Sequence, residues 1–287
     1  MSKVMNKVCV VTGAGSGIGR ELARELARRG ARGLAISDVN DEGLAETARL
    51  VAGEAPSVRV HEQHLDVADR QAFIAYADTV AAEFGVIHQL YNNAGIASGK
   101  TVLDASFEVY DKVIAINLFG VIHGTKVFLP HLIASGDGHV TNVSSLNGYM
   151  AQDELSAYCA TKFGVRGFTE ALRIEMLRDK LPVKVTVVHP GGVKTNIATA
   201  GLQHAEELGY EVTEHERRRV RAYNDKLLRM PSAQAARIIT DGVERDRPRV
   251  LVGNDAKLVD LIVRVFPVSY TRVTLAFAKL VAKTAAK

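Results

Sequence analysis

A tyrosine and a lysine four residues apart, in Ser156-Ala-Tyr158-Cys-Ala-Thr-Lys162, form the pattern with the clearest chemical meaning in this sequence. On a helix, residues at this spacing project from one face, one turn apart. A phenol has a pKa of about 10, and a neighbouring ammonium lowers that pKa by favouring the phenolate. Lowering it by about three units requires roughly 4 kcal/mol, which a close cation in a partly dry site can supply. We therefore expect Tyr158 to exchange a proton with an alcohol or carbonyl oxygen, although surface helices also carry such pairs by chance.

The composition is that of a globular protein rather than a nucleic-acid-binding one. The 287 residues are 47% hydrophobic and 24% charged, with a formal net charge of +4. Because lysines and arginines are scattered among acidic residues, we expect no nucleic-acid partner. Cys9 and Cys159 lie far apart in apolar surroundings, which indicates core residues in a reducing compartment and no metal site. We find no signal-like segment after Met1 and expect no stretch of transmembrane length, so we expect a cytoplasmic protein.

A glycine-rich turn follows the first predicted strand. The β-branched run Lys7-Val-Cys-Val-Val-Thr12 is typical of a strand buried on both faces, and residues 20–29 predict a helix that ends at Gly30. This order of strand, turn and helix aims backbone N–H groups and a helix N-terminus at a pyrophosphate. The predicted phosphate-binding turn contains Gly13, Gly15, Ser16, Gly17, Ile18 and Gly19.

An aspartate ends the second predicted strand, Gly33-Leu-Ala-Ile-Ser-Asp38. At this position a carboxylate accepts hydrogen bonds from the adenosine ribose hydroxyls and repels a 2′-phosphate. Neither Ser16 nor Val39 offers a cation that would hold such a phosphate. We therefore predict NAD rather than NADP, with a role for Asp38 as a helix cap or turn residue as the structural alternative.

Strands and helices alternate along most of the chain. Helices are predicted over residues 41–54, 69–84, 107–128 and 157–179, and further strands over 57–65, 87–91, 138–145, 183–188 and 249–252. Such alternation predicts parallel strands whose carboxyl ends meet at one ligand-binding edge. The sequence therefore predicts an α/β fold: one domain over residues 1–287, with a doubly wound, seven-stranded, mainly parallel sheet flanked by helices on both faces.

An asparagine lies in the middle of the long apolar helix predicted over residues 107–128. Asn117 follows Val113-Ile-Ala-Ile, where its side chain competes with the backbone for hydrogen bonds. Such a residue needs a partner. It is either a satisfied polar group of the core or part of a site.

Taken together, these motifs resemble the classical short-chain dehydrogenase/reductase family. The resemblance covers about residues 7–196 and reaches into the last strand. It rests on Thr12-Gly13-x-x-x-Gly17-x-Gly19, Asp66, Asn92-Asn93-Ala94-Gly95, Asn117, Ser145, Tyr158-x-x-x-Lys162 and Pro190-Gly191. It implies a Rossmann-like fold and hydride transfer between a nicotinamide dinucleotide and an alcohol or carbonyl compound.

The resemblance also implies a role for each catalytic residue. Tyr158 would be the general acid and base, and Lys162 would lower its pKa and hydrogen-bond the nicotinamide ribose. Ser145, rather than Ser144, would orient and polarise the substrate oxygen. Asn117 would hold a water in a proton relay through Lys162.

The implied cofactor contacts follow the carboxyl edge of the sheet. Asp66 and Val67 would lie by the adenine, residues 93–95 would flank its ribose, and Thr195 would contact the nicotinamide carboxamide. The complete predicted set is Gly13, Ser16, Gly17, Ile18, Gly19, Asp38, Asp66, Val67, Asn93, Ala94, Gly95, Tyr158, Lys162, Pro190, Gly191, Val193 and Thr195.

The predicted activity is NAD-dependent interconversion of a secondary alcohol and its carbonyl compound, with no metal. An NADPH-dependent carbonyl reductase is the close alternative. A non-catalytic dinucleotide-sensing or scaffold protein is the alternative from another class, and the complete catalytic set argues against it. The apolar side chains of Leu146, Tyr149, Met150, Leu155 and Ile197 favour an apolar substrate, unless they belong to the core.

Two segments extend beyond these motifs. Residues 201–230 are highly charged and predict a helical lid over the substrate. Residues 254–287 predict a C-terminal helical extension, with Leu258, Leu261, Ile262 and Val265 on one face, a break at Pro267, and a second stripe of Val273, Phe277 and Leu280 beside Arg272, Lys279, Lys283 and Lys287. We favour packing of this extension on its own protein over peripheral membrane contact. The resemblance implies a homodimer or homotetramer built on the helices around Tyr158 and Asn117.

Overall fold

The structure is a computed structural model that describes residues 2–207, 209–210, 212–226 and 228–276. Its strands are β1 (Val8–Thr12), β2 (Gly33–Asp38), β3 (Arg59–His64), β4 (Gln89–Asn92), β5 (Gly138–Val143), β6 (Val183–Pro190) and β7 (Arg249–Val252). Its helices are α1 (Gly17–Arg28), α2 (Asp41–Glu54), α3 (Arg70–Phe84), α4 (Phe107–Ile114), α5 (Gly120–Ala134), α6 (Ser156–Arg178), α7 (Ile197–Glu207), α8 (Glu214–Lys226), α9 (Ser232–Glu244) and α10 (Asn254–Val265). Residues 270–276 are also helical.

The seven strands form one sheet in the order β3-β2-β1-β4-β5-β6-β7, and every neighbouring pair is parallel. This confirms the predicted fold class. β1 is buried throughout, as its β-branched run predicts. The order reverses between β1 and β4, and such a switch point opens a crevice at the carboxyl ends of the strands.

Helices cover both faces of this sheet. Cys9 and Val11 of β1 belong to the core formed with α1 and α9. Val10, which points the opposite way, belongs to the core formed with α3, α5 and α6. Cys9 and Cys159 are both buried free thiols, as predicted from their apolar surroundings.

α4 and α5 form one continuous helix, Phe107–Ala134, joined by a π-helical turn at Ala115–Phe119. This helix continues beyond the predicted end at residue 128. It is 28 residues long and contains an 18-residue stretch with a mean hydropathy of 1.5, so by length and composition alone it could cross a membrane. The expectation that no stretch reaches that length is therefore wrong. Here the helix packs on β4, β5 and α3.

Candidate active site

The glycine-rich turn lies between β1 and α1, against the loop that follows β6. Gly17 begins α1 with a φ of 54°, which a residue with a side chain adopts only under strain. A Cβ at this position would lie 3.2 Å from Cγ2 of Thr195. The turn and the β6 exit loop are therefore adjacent. Both were predicted to contact the dinucleotide.

The N-terminus of α1 is arranged to receive an anion. Asn40 and Asp69 cap α2 and α3 with side-chain oxygens, but Ser16, the N-cap of α1, makes no such hydrogen bond. The first backbone N–H groups of α1 thus lack the side-chain cap that satisfies those of its neighbours. A pyrophosphate is the anion that such a strand, turn and helix unit binds. The residues present fit a dinucleotide.

Asp38 reaches this same turn from the end of β2. Its carboxylate accepts hydrogen bonds from the backbone N–H groups of Gly15, at 2.8 Å, and Asn40, at 3.0 Å. The structural role considered above is therefore real, but Asp38 is only half-buried. A carboxylate oxygen can accept more than one hydrogen bond, so these contacts leave capacity for a ribose hydroxyl.

A guanidinium that the sequence analysis missed lies beside Gly15. Arg20 donates to the backbone carbonyl of Gly15, to that of Gly43 at 3.1 Å, and to Oγ1 of Thr47 at 3.0 Å. The usual signal for such a residue is its position within the turn itself. Arg20 lies one helical turn later, where it joins the glycine-rich turn to α2.

The β4 exit loop is joined directly to β1. Asn93 donates from its side chain to the carbonyls of Thr12 and Gly13, both at 3.1 Å. The Thr12 hydroxyl accepts from the backbone N–H groups of Asn93 and Ala94. Asn93 therefore ties the β4 exit loop to β1, and Thr12, which we did not assign to the site, takes part in the same contacts.

Asp66 and Val67 lie where β3 leads into α3. Asp66 is exposed and accepts from the N–H of Ala68 at 2.9 Å. Val67 is buried, and its carbonyl accepts from Nδ1 of His123 at 3.2 Å. This contact fixes the loop against α5.

Two predicted cofactor residues contribute their side chains to the core. Val193 is buried with the core on the α1 side of the sheet, and Ile18 packs against the same cluster. Val193 could therefore meet a dinucleotide only through backbone atoms, whereas Ile18 is half-buried and keeps part of its side chain accessible.

Tyr158 and Lys162 lie on one face of α6, as their spacing predicts. The ammonium of Lys162 lies 5.6 Å from the centroid of the Tyr158 ring and donates to the Val143 carbonyl at 3.0 Å. Only 3% of Lys162 is exposed. Burial lowers its pKa from 10.5 to about 8, because desolvation disfavours the charged form.

Asn117 lies in the π-helical turn and finds its partner across the site. Its side chain accepts from the N–H of Ile96 and donates to the carbonyl of Ile96, both at 2.8 Å. A Cβ on Gly95 would lie 3.1 Å from Oδ1 of Asn117 and 3.4 Å from Nζ of Lys162. The structure thus brings Asn117 close to Lys162, the pair that the family resemblance implies, and it places Gly95 beside both.

The two serines after β5 have different surroundings. The Ser144 hydroxyl donates to the backbone carbonyl of Lys162 at 2.8 Å, which fixes β5 to α6. Among the described residues, the Ser145 hydroxyl accepts only a local bond, from the N–H of Asn147 at 3.1 Å, and remains able to donate. This difference agrees with the choice of Ser145.

His189 is a buried residue that we did not predict. Its Nδ1 lies 2.7 Å from the Ser145 carbonyl, and its Nε2 has no partner among the described residues. Burial lowers the pKa of His189 to about 4, so the ring is neutral and donates from Nδ1. It positions the backbone of Ser145 from behind.

α10 contacts both loops at this end of the site. Asp255 accepts from the N–H of Gly192 at 2.6 Å, and a Cβ on Gly191 would collide with its carboxylate. Tyr149 donates to the Ala256 carbonyl at 2.7 Å and packs its ring on His189. The missed signal is that Asp255 follows the carboxyl end of β7, the edge at which all other predicted ligands lie.

The expected pocket-lining role of Tyr149 is not what its placement shows. Tyr149 is 4% exposed and is packed against α10, so its side chain belongs to the core. Leu146, Met150 and Leu155 are half-buried. We call residues 146–155 the substrate loop, after its predicted role, and its apolar character therefore rests on these three residues.

The predicted lid forms α7 and α8, although residues 208, 211 and 227 lie outside the described part. Lys100 forms an ion pair with Glu216 at 2.9 Å, and Tyr210 accepts from the N–H of Ser106 at 2.8 Å. The pKa of Glu216 falls to about 2 because hydrogen bonds and the charge of Lys100 outweigh its desolvation. The segment is thus held against the β4 exit loop.

Among the described residues, no group of three or more His, Cys, Asp or Glu side chains could hold a metal.

Comparisons with known proteins bear on the family and the fold of this chain. The sequence matches the model of one family, described as short chain dehydrogenase, over residues 7–206. It is 48% identical over 276 residues to the protein SadH of Mycobacterium tuberculosis, covering 96% of each chain. It is 40% identical over 195 residues to epidermal retinol dehydrogenase 2 of Mus musculus, covering 68% of this chain and 62% of that protein.

Solved structures show the same fold. A short chain dehydrogenase/reductase from Burkholderia phymatum in complex with NAD has a TM-score of 0.83 at 26% identity, covering 96% of this chain and 97% of that one. An alcohol dehydrogenase from Thermococcus sibiricus complexed with 5-hydroxy-NADP has a TM-score of 0.70 at 25% identity, covering 86% and 94%. These similarities support a nicotinamide dinucleotide without distinguishing NAD from NADP.

Proposed function

The chain belongs to the short-chain dehydrogenase family, and we propose that it interconverts an apolar secondary alcohol and its carbonyl compound with NAD as the preferred dinucleotide. As a member of this family it is an oxidoreductase that acts on CH–OH groups. What we propose beyond that is the catalytic set, the choice of dinucleotide and the substrate class.

The observation that carries the proposal is the buried ammonium of Lys162 beside the Tyr158 ring. In a partly dry site a cation at this position favours the phenolate form of Tyr158. Tyr158 then takes the proton from the alcohol oxygen during oxidation, or returns it to the carbonyl oxygen during reduction. With a pKa of about 8, Lys162 is mostly protonated at neutral pH and can perform this role.

Ser145 and Asn117 complete the proposed set. Ser145 donates a hydrogen bond to the substrate oxygen, where negative charge develops in the transition state. Its backbone is held by His189, so the hydroxyl is preorganised. Asn117 holds Ile96 in place beside Lys162, and we retain the proton relay through Lys162 as part of the proposal.

The residues around the glycine-rich turn would hold the dinucleotide. The uncapped N-terminus of α1 would bind its pyrophosphate, Asp38 the adenosine ribose, and Thr195 the nicotinamide carboxamide. When bound, the nicotinamide accepts or supplies the hydride.

Asp38 is the support for NAD over NADP. Its half-exposed carboxylate would repel a 2′-phosphate. The nearby cation, Arg20, is already bound to three protein oxygens and so is not free to compensate. The alternative is an NADPH-dependent carbonyl reductase, favoured by the similarity to a structure complexed with 5-hydroxy-NADP.

We propose an apolar substrate from the half-buried side chains of Leu146, Met150 and Leu155. The relative named as a retinol dehydrogenase is consistent with that class. The segment of α7 and α8 would close over the substrate, held by the ion pair of Lys100 and Glu216.

We also propose a cytoplasmic homodimer or homotetramer. Support comes from exposed apolar side chains on α4 to α6, namely Phe107, Phe119, Phe163, Ile174 and Leu177. Such side chains are typical of surfaces that a second copy covers. Light scattering on the purified protein would measure the mass.

A panel of apolar secondary alcohols tests the proposal, with NAD and NADP supplied in parallel and Tyr158→Phe as the control variant. We expect turnover with NAD, and a loss of at least about a hundredfold in kcat for Tyr158→Phe with NAD binding retained. Retained turnover in Tyr158→Phe would contradict the mechanism. A preference for NADP would establish the alternative.

A further inference from the structure

Exposed apolar side chains are concentrated at the C-terminal end of the described chain. Seven of the eighteen large apolar side chains that are exposed among the described residues lie between residues 258 and 275. We call these seven the tail surface: Leu258, Leu261, Val265, Phe266, Val268, Val273 and Leu275. Leu261 is 58% exposed, Phe266 54% and Val268 84%.

The opposite face of the same segment is fixed to the protein. Ala256 is fully buried and accepts the hydrogen bond of Tyr149, while Asp260 forms an ion pair with Arg249 at 2.6 Å. Further on, the Tyr270 hydroxyl accepts from the N–H of Ala151 at 3.2 Å. Through these anchors the segment contacts its own protein, and they turn the tail surface away from it.

The charges along this segment are unevenly arranged. Asp255 is bound to Gly192, and Asp260 is shared by Arg249 and Arg264. Lys257 and Arg272 are exposed and have no ion pair within the described residues. The sequence beyond the described part adds Lys279, Lys283 and Lys287 and no acidic residue.

We propose that the tail surface binds an anionic lipid bilayer. The tail surface interleaves apolar side chains with unpaired cations. At the surface of an anionic bilayer the apolar side chains would meet the acyl chains, and the cations would meet the headgroups. A second copy of this chain matches less well, because symmetric pairing would bring like charges together. Residues 149 and 151 of the substrate loop contact this segment, so the bound bilayer would lie beside the entrance for an apolar substrate.

Sedimentation of the full-length protein with phospholipid vesicles tests the proposal. We expect it to sediment with vesicles that contain phosphatidylglycerol, and less with pure phosphatidylcholine. About 1 M salt, where the Debye length is about 3 Å, should weaken the binding. Leu261→Glu and Phe266→Glu should each weaken partitioning at least about tenfold, because an apolar side chain would no longer be buried in lipid.

A matched control uses an exposed apolar residue on another helix. Ile74, on α3, is 38% exposed, and Ile74→Glu should leave vesicle binding unchanged. All three variants should retain activity in solution, which shows that they fold. No sedimentation of the wild-type protein at low salt would overturn the proposal, as would binding that survives Leu261→Glu and Phe266→Glu. A fall in oligomeric mass in Phe266→Glu would show instead that a second copy covers the tail surface.

Discussion

The ammonium of Lys162 lies 5.6 Å from the centroid of the Tyr158 ring, one helical turn further along α6. The same ammonium is buried and hydrogen-bonded to the end of β5. A cation placed in this way destabilises the folded protein, because burial penalises the charge in the native state alone, and we propose that catalysis is what requires it.

Lys162→Met should therefore stabilise the protein at neutral pH while it abolishes turnover. With a pKa of 10.5 when unfolded and about 8 when folded, the native protein loses on the order of 3 kcal/mol below pH 8. Loss of the bond from the charged ammonium to Val143 offsets about 1.5–3 kcal/mol of this. We expect a net gain of about 1 kcal/mol at pH 7 from urea unfolding.

The pH dependence of this gain distinguishes charge from packing. Between about pH 8 and pH 10.5 the unfolded wild-type chain binds the Lys162 proton and the folded one does not, so wild-type stability rises with pH. The advantage of Lys162→Met should shrink over that range. An advantage that stays constant with pH, or a variant less stable at pH 7, would contradict this account.

Ser145→Ala and Ser144→Ala form a matched pair of neighbours. Ser145→Ala should lower kcat about a hundredfold or more with little change in stability, because its hydroxyl is proposed to stabilise the transition state. Ser144→Ala should lower the free energy of unfolding by about 1 kcal/mol, because it removes the bond to the Lys162 carbonyl. Steady-state kinetics and urea unfolding of both variants check this. Equal losses of kcat in the two variants would show that the two hydroxyls do not have different roles.

Asp38→Asn should change the choice of dinucleotide. An amide neither repels a 2′-phosphate nor accepts ribose hydrogen bonds as strongly, so the ratio of kcat/KM for NAD to that for NADP should fall at least about tenfold. Asp66→Asn is the control. The adenine is common to both dinucleotides, so kcat/KM for NAD and kcat/KM for NADP should change by the same factor. An unchanged ratio in Asp38→Asn would remove the basis for preferring NAD.

Asp255→Ala should raise the KM for the dinucleotide more than the KM for the alcohol. The Asp255 carboxylate holds the N–H of Gly192 in the β6 exit loop, and a bond to a charged acceptor contributes about 1.5–3 kcal/mol. We expect an increase of about tenfold or more, with Asp255→Asn restoring most of the binding because its amide oxygen can accept the same bond. Lys257→Ala, which removes an exposed charge two residues further along the same helix and leaves the bond to Gly192 in place, should have no effect. Equal changes in all kinetic constants, without rescue by Asp255→Asn, would indicate a general loss of structure.

The sequence by itself determined the sheet and most of the candidate site. Periodicity alone indicated buried parallel strands, and parallel strands place their carboxyl ends at one edge, where the glycine-rich turn and the β4 exit loop were expected together. The association of Asn117 with Lys162 came from the family resemblance. The spacing of Tyr158 and Lys162 fixed their common face, since helical geometry is local.

Only the tertiary structure decided which groups these side chains meet. Asn117 pairs with the backbone of Ile96, Arg20 binds the carbonyl of Gly15, and Asp255 holds Gly192 from the far end of the chain. Tyr149 is of a residue type that often lines apolar pockets, yet it is buried against α10. Such contacts depend on how helices and loops pack on the sheet. Packing brings together residues that are far apart along the chain, and such pairs leave no periodic pattern in the sequence. The long helix shows the same limit, because its apolar composition is compatible with a membrane and its packing on β4, β5 and α3 is a property of the fold.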